Sequence, residues 1–332
     1  MLSLIKNYVN QKQNVFWPGK VELVKYRVSN ISPFLGLIFI TLVFSFTTNG
    51  RFASISNMTN LVNQCFNVII IAVGISFVFA HGGMDMSIGS VLGVSSYVGA
   101  MVWNMNNMPG VAGFFIAILV AMVFTFITST VHIVARVPVF VASLCIRYIC
   151  SGILTTLVSE NDMYIDYTKY NGLNNGILKF FVLIIVIAIG YILYEYTAVG
   201  KSLKSIGGNK TMSYHSGVKT SRYIWGAYMI LGITIGIVSM FSLARVGNVT
   251  ATTGVGMEFD AMTAIVLGGF PIKGGARAKI RSAIIGAVTV AVLTNGLTLI
   301  GLDPSIIYGI KGVMFIVIVG ISYVRKKGEI VN

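Results

Sequence analysis

Residues 197–222 read TAVGKSLKSIGGNKTMSYHSGVKTSR, and this polar, basic segment separates two strongly apolar halves of the chain. A basic segment between two runs of membrane length is predicted to lie on the cytoplasmic side. Gly207-Gly208 permits a sharp turn, and Asn209 can cap a helix of about two turns that ends near Ser216. Either a short helix along the membrane surface or a solvated connecting loop satisfies this pattern.

The composition indicates a membrane protein. The 332 residues are 55% hydrophobic and 10% charged, with a mean hydropathy of +0.84, whereas soluble domains carry about 25% charged residues. Backbone groups in hydrocarbon must be bonded internally, and continuous rather than alternating apolar runs favour helices over a barrel. The sequence therefore predicts an all-α polytopic membrane protein.

About ten transmembrane helices are predicted between residues 31 and 327, since each crossing needs about 20 residues. The first opens at Pro33, and the eighth, residues 258–269, is too short to cross squarely. A basic segment, residues 1–30, precedes this transmembrane domain, and a short tail, residues 328–332, follows it; both are placed in the cytoplasm. An acidic external loop holds Glu160, Asp162 and Asp166.

The charge distribution supports that topology. With the N-terminus inside and ten crossings, 18 of the 24 Lys and Arg residues lie inside and 4 lie outside, which is the asymmetry expected of short cytoplasmic loops. The net charge of +14 is explained in this way without a nucleic-acid partner, and no basic stripe interleaved with aromatic residues is present.

A glycine-rich motif interrupts an apolar segment in each half. The first reads GGMDMSIGS at residues 82–90, and the second reads GGFPIKGG at residues 268–275. Each falls at the inner end of a predicted span. Transporters often build their pathway where corresponding helices of two repeats are broken, so we predict two weakly repeated halves with broken or short helices at these motifs.

Candidate pathway residues lie at or beside these interruptions: Gly82, Gly83, Asp85, Ser87, Arg147, Glu258, Asp260, Gly268 and Gly269. A charge at membrane depth costs a few kcal/mol on insertion scales, so it usually faces a pathway or a partner. Asp85 could instead cap the helix that follows it. Carboxylates at the start of the short eighth segment are favoured by the helix dipole, and capping is the preferred role there.

Several motifs together resemble the permease subunits of ribose/galactose-type bacterial ABC importers, over about residues 60–327. Thr197-x-x-Gly200, Ile206-Gly-Gly-Asn209 and Ser216-Gly217-Val218 are similar to that family's cytoplasmic coupling loop. Residues 82–90 resemble its Gly-Gly-Ile-Asp-Leu-Ser-Val-Gly-Ser signature, and residues 258–261 its Glu-Leu-Asp-Ala. The chain departs from the family at Ser151, where an arginine is usual; Arg147, four residues earlier on the same helical face, would be a displaced equivalent.

The resemblance implies a transport subunit of the bacterial inner membrane with no catalytic residues of its own. ATP and Mg²⁺ would be bound by a separate cytoplasmic ABC ATPase. An extracytoplasmic sugar-binding protein would deliver a monosaccharide, and a second permease protomer, identical or different, would complete the pathway within the membrane lipid. The ATPase would dock on the coupling loop, residues 198–222, through Gly200, Ile206, Gly207, Gly208, Asn209, Ser216 and Gly217.

Other activities find less support. Gly200-Lys201-Ser202 matches the end of a phosphate-binding Walker A loop, but Glu195 stands where its first glycine must be. The three histidines are isolated and the three cysteines lie in apolar runs, so no metal site or catalytic triad is predicted. The alternative function is an ion-coupled secondary transporter, which would need convergent intramembrane carboxylates; Asp85 qualifies, with Glu195 and Asp260 near the span ends.

Overall fold

The computed structural model of the chain describes residues 20–105, 110–160, 163–165 and 170–322. Three predicted features fall outside these described residues: the N-terminal segment up to residue 19, the acidic positions Asp162 and Asp166, and the cytoplasmic tail.

Helices make up almost all of the described chain. The first half contains α1 (Lys20–Thr47), α2 (Ile55–Ala80), α3 (Ile88–Asn104), α4 (Gly110–Val134), α5 (Val139–Glu160) and α6 (Gly176–Tyr191). Short 3₁₀ turns occupy Arg51–Ala53 and Asn171–Asn174, and α6 continues into a π-helical turn, Ile192–Tyr196. The central segment forms α7 (Ala198–Gly208) and α8 (Lys210–His215). The second half contains α9 (Thr220–Val246), α10 (Met257–Leu267), α11 (Ile280–Leu299) and α12 (Pro304–Ser322).

Six stretches in the described ranges are long and apolar enough to cross a membrane: Ile55–Ala80, Val111–Val134, Val139–Glu160, Gly176–Tyr196, Thr220–Val246 and Ile280–Leu299. The apolar parts of α1 and α12 are shorter, Phe34–Thr47 and Pro304–Val317. The chain is therefore a multi-pass, helical membrane protein, as predicted. The count of ten spans is not established, because α3 and α10 have only 17 and 11 residues.

Helices α2 and α9 form the centre of the molecule. In each, 72% of the most apolar window is buried, and both pack against one another and against the surrounding helices. Small residues allow α9 to approach α4 closely. A Cβ at Gly232 of α9 would lie 2.7 Å from the Met122 Cα of α4, and a Cβ at Gly236 would overlap the Ile118 Cα of the same helix. Small residues at contact faces are typical of helix packing in membranes.

A two-residue antiparallel ribbon joins the two halves at the end opposite the central segment. Strand β1 (Met163–Tyr164) pairs with β2 (Asn248–Val249), with Met163 opposite Val249. The Ile165 N–H extends the pairing by donating to the Gly247 carbonyl over 2.9 Å. An all-α prediction misses this ribbon because strands of two residues leave no periodic signal.

The helix that contains the first predicted span begins before Pro33, although its apolar part, Phe34–Thr47, starts where the span was predicted to open. Helix α1 begins at Lys20 and runs through Pro33 without a break. Proline lacks the N–H that would bond to the preceding turn, but membrane helices tolerate this loss when neighbouring groups compensate for it.

Candidate functional site

The central segment is two capped helices rather than a loop. The Thr197 Oγ1 accepts a hydrogen bond from the Val199 N–H at 3.2 Å, and the Asn209 Oδ1 accepts one from the Met212 N–H at 3.0 Å. Each bond satisfies an N–H that helix geometry leaves free. The capping role of Asn209 agrees with the sequence prediction, whereas α7 was not predicted.

The predicted sharp turn at Gly207-Gly208 is wrong, since both glycines belong to the last turn of α7. The chain changes direction at Asn209, which has extended backbone angles, φ −162° and ψ 108°. Gly217 has φ +83° and ends α8, with the Val218 N–H donating to the Ser213 carbonyl at 3.0 Å. A glycine in this conformation is the usual end of a helix.

The inner face of α7 lies directly against the membrane body. Leu203 and Ile206 are buried, with 0% and 3% of their surfaces exposed. A Cβ at Gly200 would overlap the Tyr194 carbonyl, and a Cβ at Gly207 would overlap the Ala80 carbonyl at the end of α2. The segment is therefore held against the body through positions that accept only glycine. Lys201 and Lys210 are exposed, whereas Lys204 is largely buried and pairs with Glu195.

Three chain segments meet at Gly207. The Gly275 N–H, in the loop between α10 and α11, donates to the Ala80 carbonyl at 3.0 Å. A Cβ at Gly207 would stand 2.7 Å from that same nitrogen. Gly274, with φ +70°, lies against the Phe79 and Ala80 carbonyls. The central segment thus contacts both the end of α2 and the second glycine-rich motif.

The two glycine-rich interruptions abut each other. A Cβ at Gly82, which has φ +86°, would lie 3.1 Å from the Lys273 carbonyl oxygen. Gly269 also has a positive φ of +79°, and a Cβ at Gly268 would overlap the Ser282 carbonyl. Both motifs lie at the end of the molecule that carries the central segment, so motifs 186 residues apart form one junction.

Asp85 is fully buried in the non-helical stretch between α2 and α3. Its Oδ1 accepts hydrogen bonds from the Ser87 N–H at 2.7 Å and from the Ser87 Oγ at 2.6 Å. Its Oδ2 makes no hydrogen bond with the described residues. Helix α3 starts at Ile88, so Asp85 bonds to Ser87, the residue that precedes the helix. Gly83 lies under the His81 ring.

Two ion pairs hold the start of α10. Arg147 of α5 lies 2.9 Å from Glu258, with 28% and 2% of their side chains exposed, and Lys311 of α12 lies 2.5 Å from Asp260, with 2% and 15% exposed. Both carboxylates are also in the first turn of α10, where the helix dipole favours them. Lys311 was not predicted as a site residue. Its position as a single cation within an apolar run could have indicated that it pairs with a buried carboxylate.

Helices α3 and α10 begin next to each other inside the protein. A Cβ at Gly89, in the first turn of α3, would overlap both the Glu258 Oε2 and the Gly254 carbonyl. Eleven residues of α10 extend about 16 Å, roughly half of the hydrocarbon thickness. The arrangement is that of two discontinuous helices whose amino ends converge, which transporters use to present backbone dipoles to a solute.

The matching family covers most of the chain. Residues 57–319 match the family described as branched-chain amino acid transport system / permease component. The ribose import permease protein of Bacillus subtilis is 27% identical over 308 residues, covering 90% of this chain and 94% of that protein. The galactose/methyl galactoside import permease protein of Escherichia coli is 28% identical over 309 residues, with 83% and 90% covered.

A third relative, the fructose import permease protein of Rhizobium meliloti, is 24% identical over 308 residues, covering 89% of this chain and 85% of that protein. No solved structure matches the chain significantly. The predicted resemblance to monosaccharide ABC importer permeases is confirmed by these relatives, and the chain belongs to the family of branched-chain amino acid transport system / permease components.

Proposed function

We propose that this chain is the transmembrane subunit of an ABC importer that carries a small monosaccharide, similar to ribose or galactose, into the cell. ATP and Mg²⁺ are bound by a separate cytoplasmic ATPase, and an extracytoplasmic binding protein delivers the sugar. Two permease protomers enclose the pathway. The printed names of the relatives, which import ribose, galactose and fructose, support the substrate class.

The contact between the central segment and the two interrupted motifs is the observation that carries this proposal. The end of α7 lies against the Ala80 carbonyl and the Gly275 N–H at once. A displacement of the segment would therefore reach both discontinuous regions without an intermediate element. Such a contact suits a motor that acts from the cytoplasmic side.

The outer face of the central segment offers a docking surface for that motor. Met212 and Tyr214 of α8 expose 67% and 66% of their surfaces, and exposed apolar side chains on a polar segment often mark a protein interface. Lys201 of α7 and Lys210 of α8 are also exposed. The ATPase would contact α8 and the end of α7, including Gly208, Asn209, Ser216 and Gly217.

The carboxylates near the pathway favour this function over coupling to an ion gradient. An ion-coupled carrier needs carboxylates free to bind and release a cation or proton. Glu258 and Asp260 are instead paired with Arg147 and Lys311. Asp85 keeps an Oδ2 that makes no hydrogen bond with the described residues.

Uptake by reconstituted vesicles tests the proposal. The permease is reconstituted with its cognate ABC ATPase and binding protein, and the accumulation of labelled ribose and galactose is measured with Mg-ATP on the ATPase side. We expect uptake that requires all three proteins and stops when the Walker A lysine of the ATPase is replaced. Accumulation driven by a proton or sodium gradient without ATP would contradict the proposal.

A further inference from the structure

The membrane side of α5 is unlike that of its neighbours. In the half of α5 that ends at Glu160, next to strand β1, polar or small residues are exposed along one side of the helix. They are Tyr148, Ser151, Gly152, Thr155 and Ser159. Residues three or four positions apart share one side of a helix, so these five form one surface, which we call the α5 polar face.

Helices α4 and α6 have the opposite arrangement. Every exposed position of residues 111–134 carries a large apolar side chain, such as Leu119. Hydroxyl residues of the same helix are fully buried at Thr125, Thr128 and Ser129. Helix α6 likewise buries Lys179 and exposes residues such as Ile185. Polar groups turn inward where hydrocarbon surrounds a helix, so the α5 polar face is not a surface expected against lipid.

Arg147 argues against lipid more strongly than the hydroxyl groups do. A hydroxyl can bond within its own helix, as the Thr155 Oγ1 does by donating to the Ser151 carbonyl at 2.9 Å. Arg147 lies one turn before Ser151, within the span, and keeps 28% of its side chain exposed while it pairs with Glu258. A charge exposed at membrane depth faces water or a partner. The α5 polar face therefore borders a water-filled space or another protein.

The polarity of this side of α5 changes along the helix. Toward the central segment it exposes Val141 and Cys145, which are apolar or nearly so. Toward the ribbon it carries the α5 polar face, where a Cβ at Gly152 would have no atom within 4 Å. An open polar half that continues into an apolar half has the form of a vestibule with an apolar floor.

We propose that the α5 polar face lines the outer, water-filled part of the translocation pathway and contacts the transported sugar. The Ser151 hydroxyl can donate and accept a hydrogen bond. The Thr155 oxygen, whose proton is used within the helix, accepts from a sugar hydroxyl. The Tyr148 ring, with 73% of the residue exposed, offers a flat apolar surface to the C–H groups of the sugar.

The chemistry of this surface suits a neutral, hydroxyl-rich solute. The five side chains are uncharged, and the adjacent Arg147 is paired with Glu258. One protomer supplies one wall, and the same face of a second protomer would stand opposite it. That the solute is a sugar rests on the proposed function, whereas the contact with water does not.

Water accessibility in a bilayer tests the assignment. The full-length permease, with its three native cysteines replaced by alanine, is placed in lipid nanodiscs with a single cysteine from Ser151→Cys or, as the matched control, Leu119→Cys. Each position lies nine residues from the same end of the α4–α5 pair, since Gly110 begins α4 and Glu160 ends α5. We expect the charged reagent MTSET to modify Ser151→Cys at least about tenfold faster, because the reaction needs water and a thiolate.

Two outcomes of the labelling would contradict the proposal. Equally slow reaction at positions 151 and 119 would overturn it and leave the α5 polar face in lipid. Slow reaction at position 151 with rapid disulfide cross-linking between two Ser151→Cys protomers would also overturn it, and would assign the face to direct contact between protomers.

A bulky side chain tests the contact with the solute in reconstituted transport vesicles. Ser151→Trp should abolish ATP-dependent sugar uptake, whereas Leu119→Trp, which faces lipid, should leave uptake close to wild type. Thermal unfolding in detergent checks that both variants are folded. Wild-type uptake by Ser151→Trp would refute the contact. Rapid labelling without ATP-dependent uptake would count against the proposed function alone, and ATP-dependent uptake with slow labelling at position 151 would count against this inference alone.

Discussion

Gly207 and Gly208 are neighbours in sequence and in the same helical turn, but their surroundings differ. A Cβ at position 207 would overlap the Ala80 carbonyl and crowd the Gly275 nitrogen, whereas a Cβ at position 208 would have no atom within 4 Å. Neither residue needs a left-handed backbone. Glycine is therefore required at position 207 because the end of α2 approaches α7 closely there, and not because the chain turns.

Alanine at the two positions should therefore change stability in opposite directions. Gly207→Ala forces the backbone of α2 or of α7 to shift, and we expect a loss of about 1–3 kcal/mol, as for other overpacked sites. Gly208→Ala should stabilise by up to about 1 kcal/mol, since alanine is the better helix former. Thermal unfolding in detergent measures both, and equal effects of the two variants would contradict the close contact at Gly207.

The Arg147–Glu258 pair is asymmetric in exposure, and its two members should differ in how much their loss costs. Arg147→Gln leaves Glu258 as a charge with 2% of its side chain exposed, whereas Glu258→Gln leaves Arg147 with 28% exposed. Removing one member of a buried pair costs about 3–5 kcal/mol. We expect the Arg147 variant to approach that loss and the Glu258 variant to lose clearly less.

The double variant Arg147→Gln/Glu258→Gln supplies the control for this pair. It removes both charges and should recover part of the stability lost in Arg147→Gln alone. Thermal unfolding of all three proteins gives the coupling. Additive losses would show that the two side chains do not interact in the membrane.

The helices differ in how well the sequence predicts them. Runs such as residues 111–134 predict α4 almost to the residue, because a long apolar run in a membrane has one stable conformation. The short α10 is also predictable, since the predicted segment, residues 258–269, is too short to cross the membrane and ends in paired glycines. Helix α7 is not, because its glycines lower helix propensity and only contact with the body at Leu203 and Ile206 compensates.

The cap of α8 gives a prediction at the same scale. Asn209→Ala removes the acceptor for the Met212 N–H, and loss of such a cap costs about 1 kcal/mol. We expect hydrogen exchange in Lys210–His215 to become about fivefold faster, with α4 and α9 unchanged. Asn209→Asp keeps an acceptor and should exchange at close to the wild-type rate. Unchanged exchange in Asn209→Ala would remove the case for a capped helix.

Across the whole molecule, the two glycine-rich motifs form one junction beneath the central segment. The sequence predicts that both motifs interrupt helices and that both lie at the same end, and both features are observed. It does not predict that Gly82 lies against Lys273 or that Asp260 pairs with Lys311. Such long-range partners depend on how the halves pack, and a single sequence carries no record of that packing.

The orientation of the molecule gives a prediction for labelling experiments. In a protein with Cys65, Cys145 and Cys150 replaced by alanine, one cysteine is introduced at Lys201 or at Arg51, both exposed. We expect a membrane-impermeant maleimide to label position 201 only from the cytoplasmic side and position 51 only from the outside, as the distribution of basic residues requires. The reverse pattern would place the central segment away from any cytoplasmic motor.

The ion pair between Asp260 and Lys311 also has a consequence for how the protein is made. Ribosomes complete α10 about fifty residues before α12. When α10 leaves the translocon, Arg147 of α5 is already inserted and can pair with Glu258, whereas Lys311, the partner of Asp260, has not yet been synthesised. Integration of that segment is therefore finished only when the last helix arrives. A chain truncated after α11 would present an unmatched carboxylate to the lipid and be a substrate for membrane quality control.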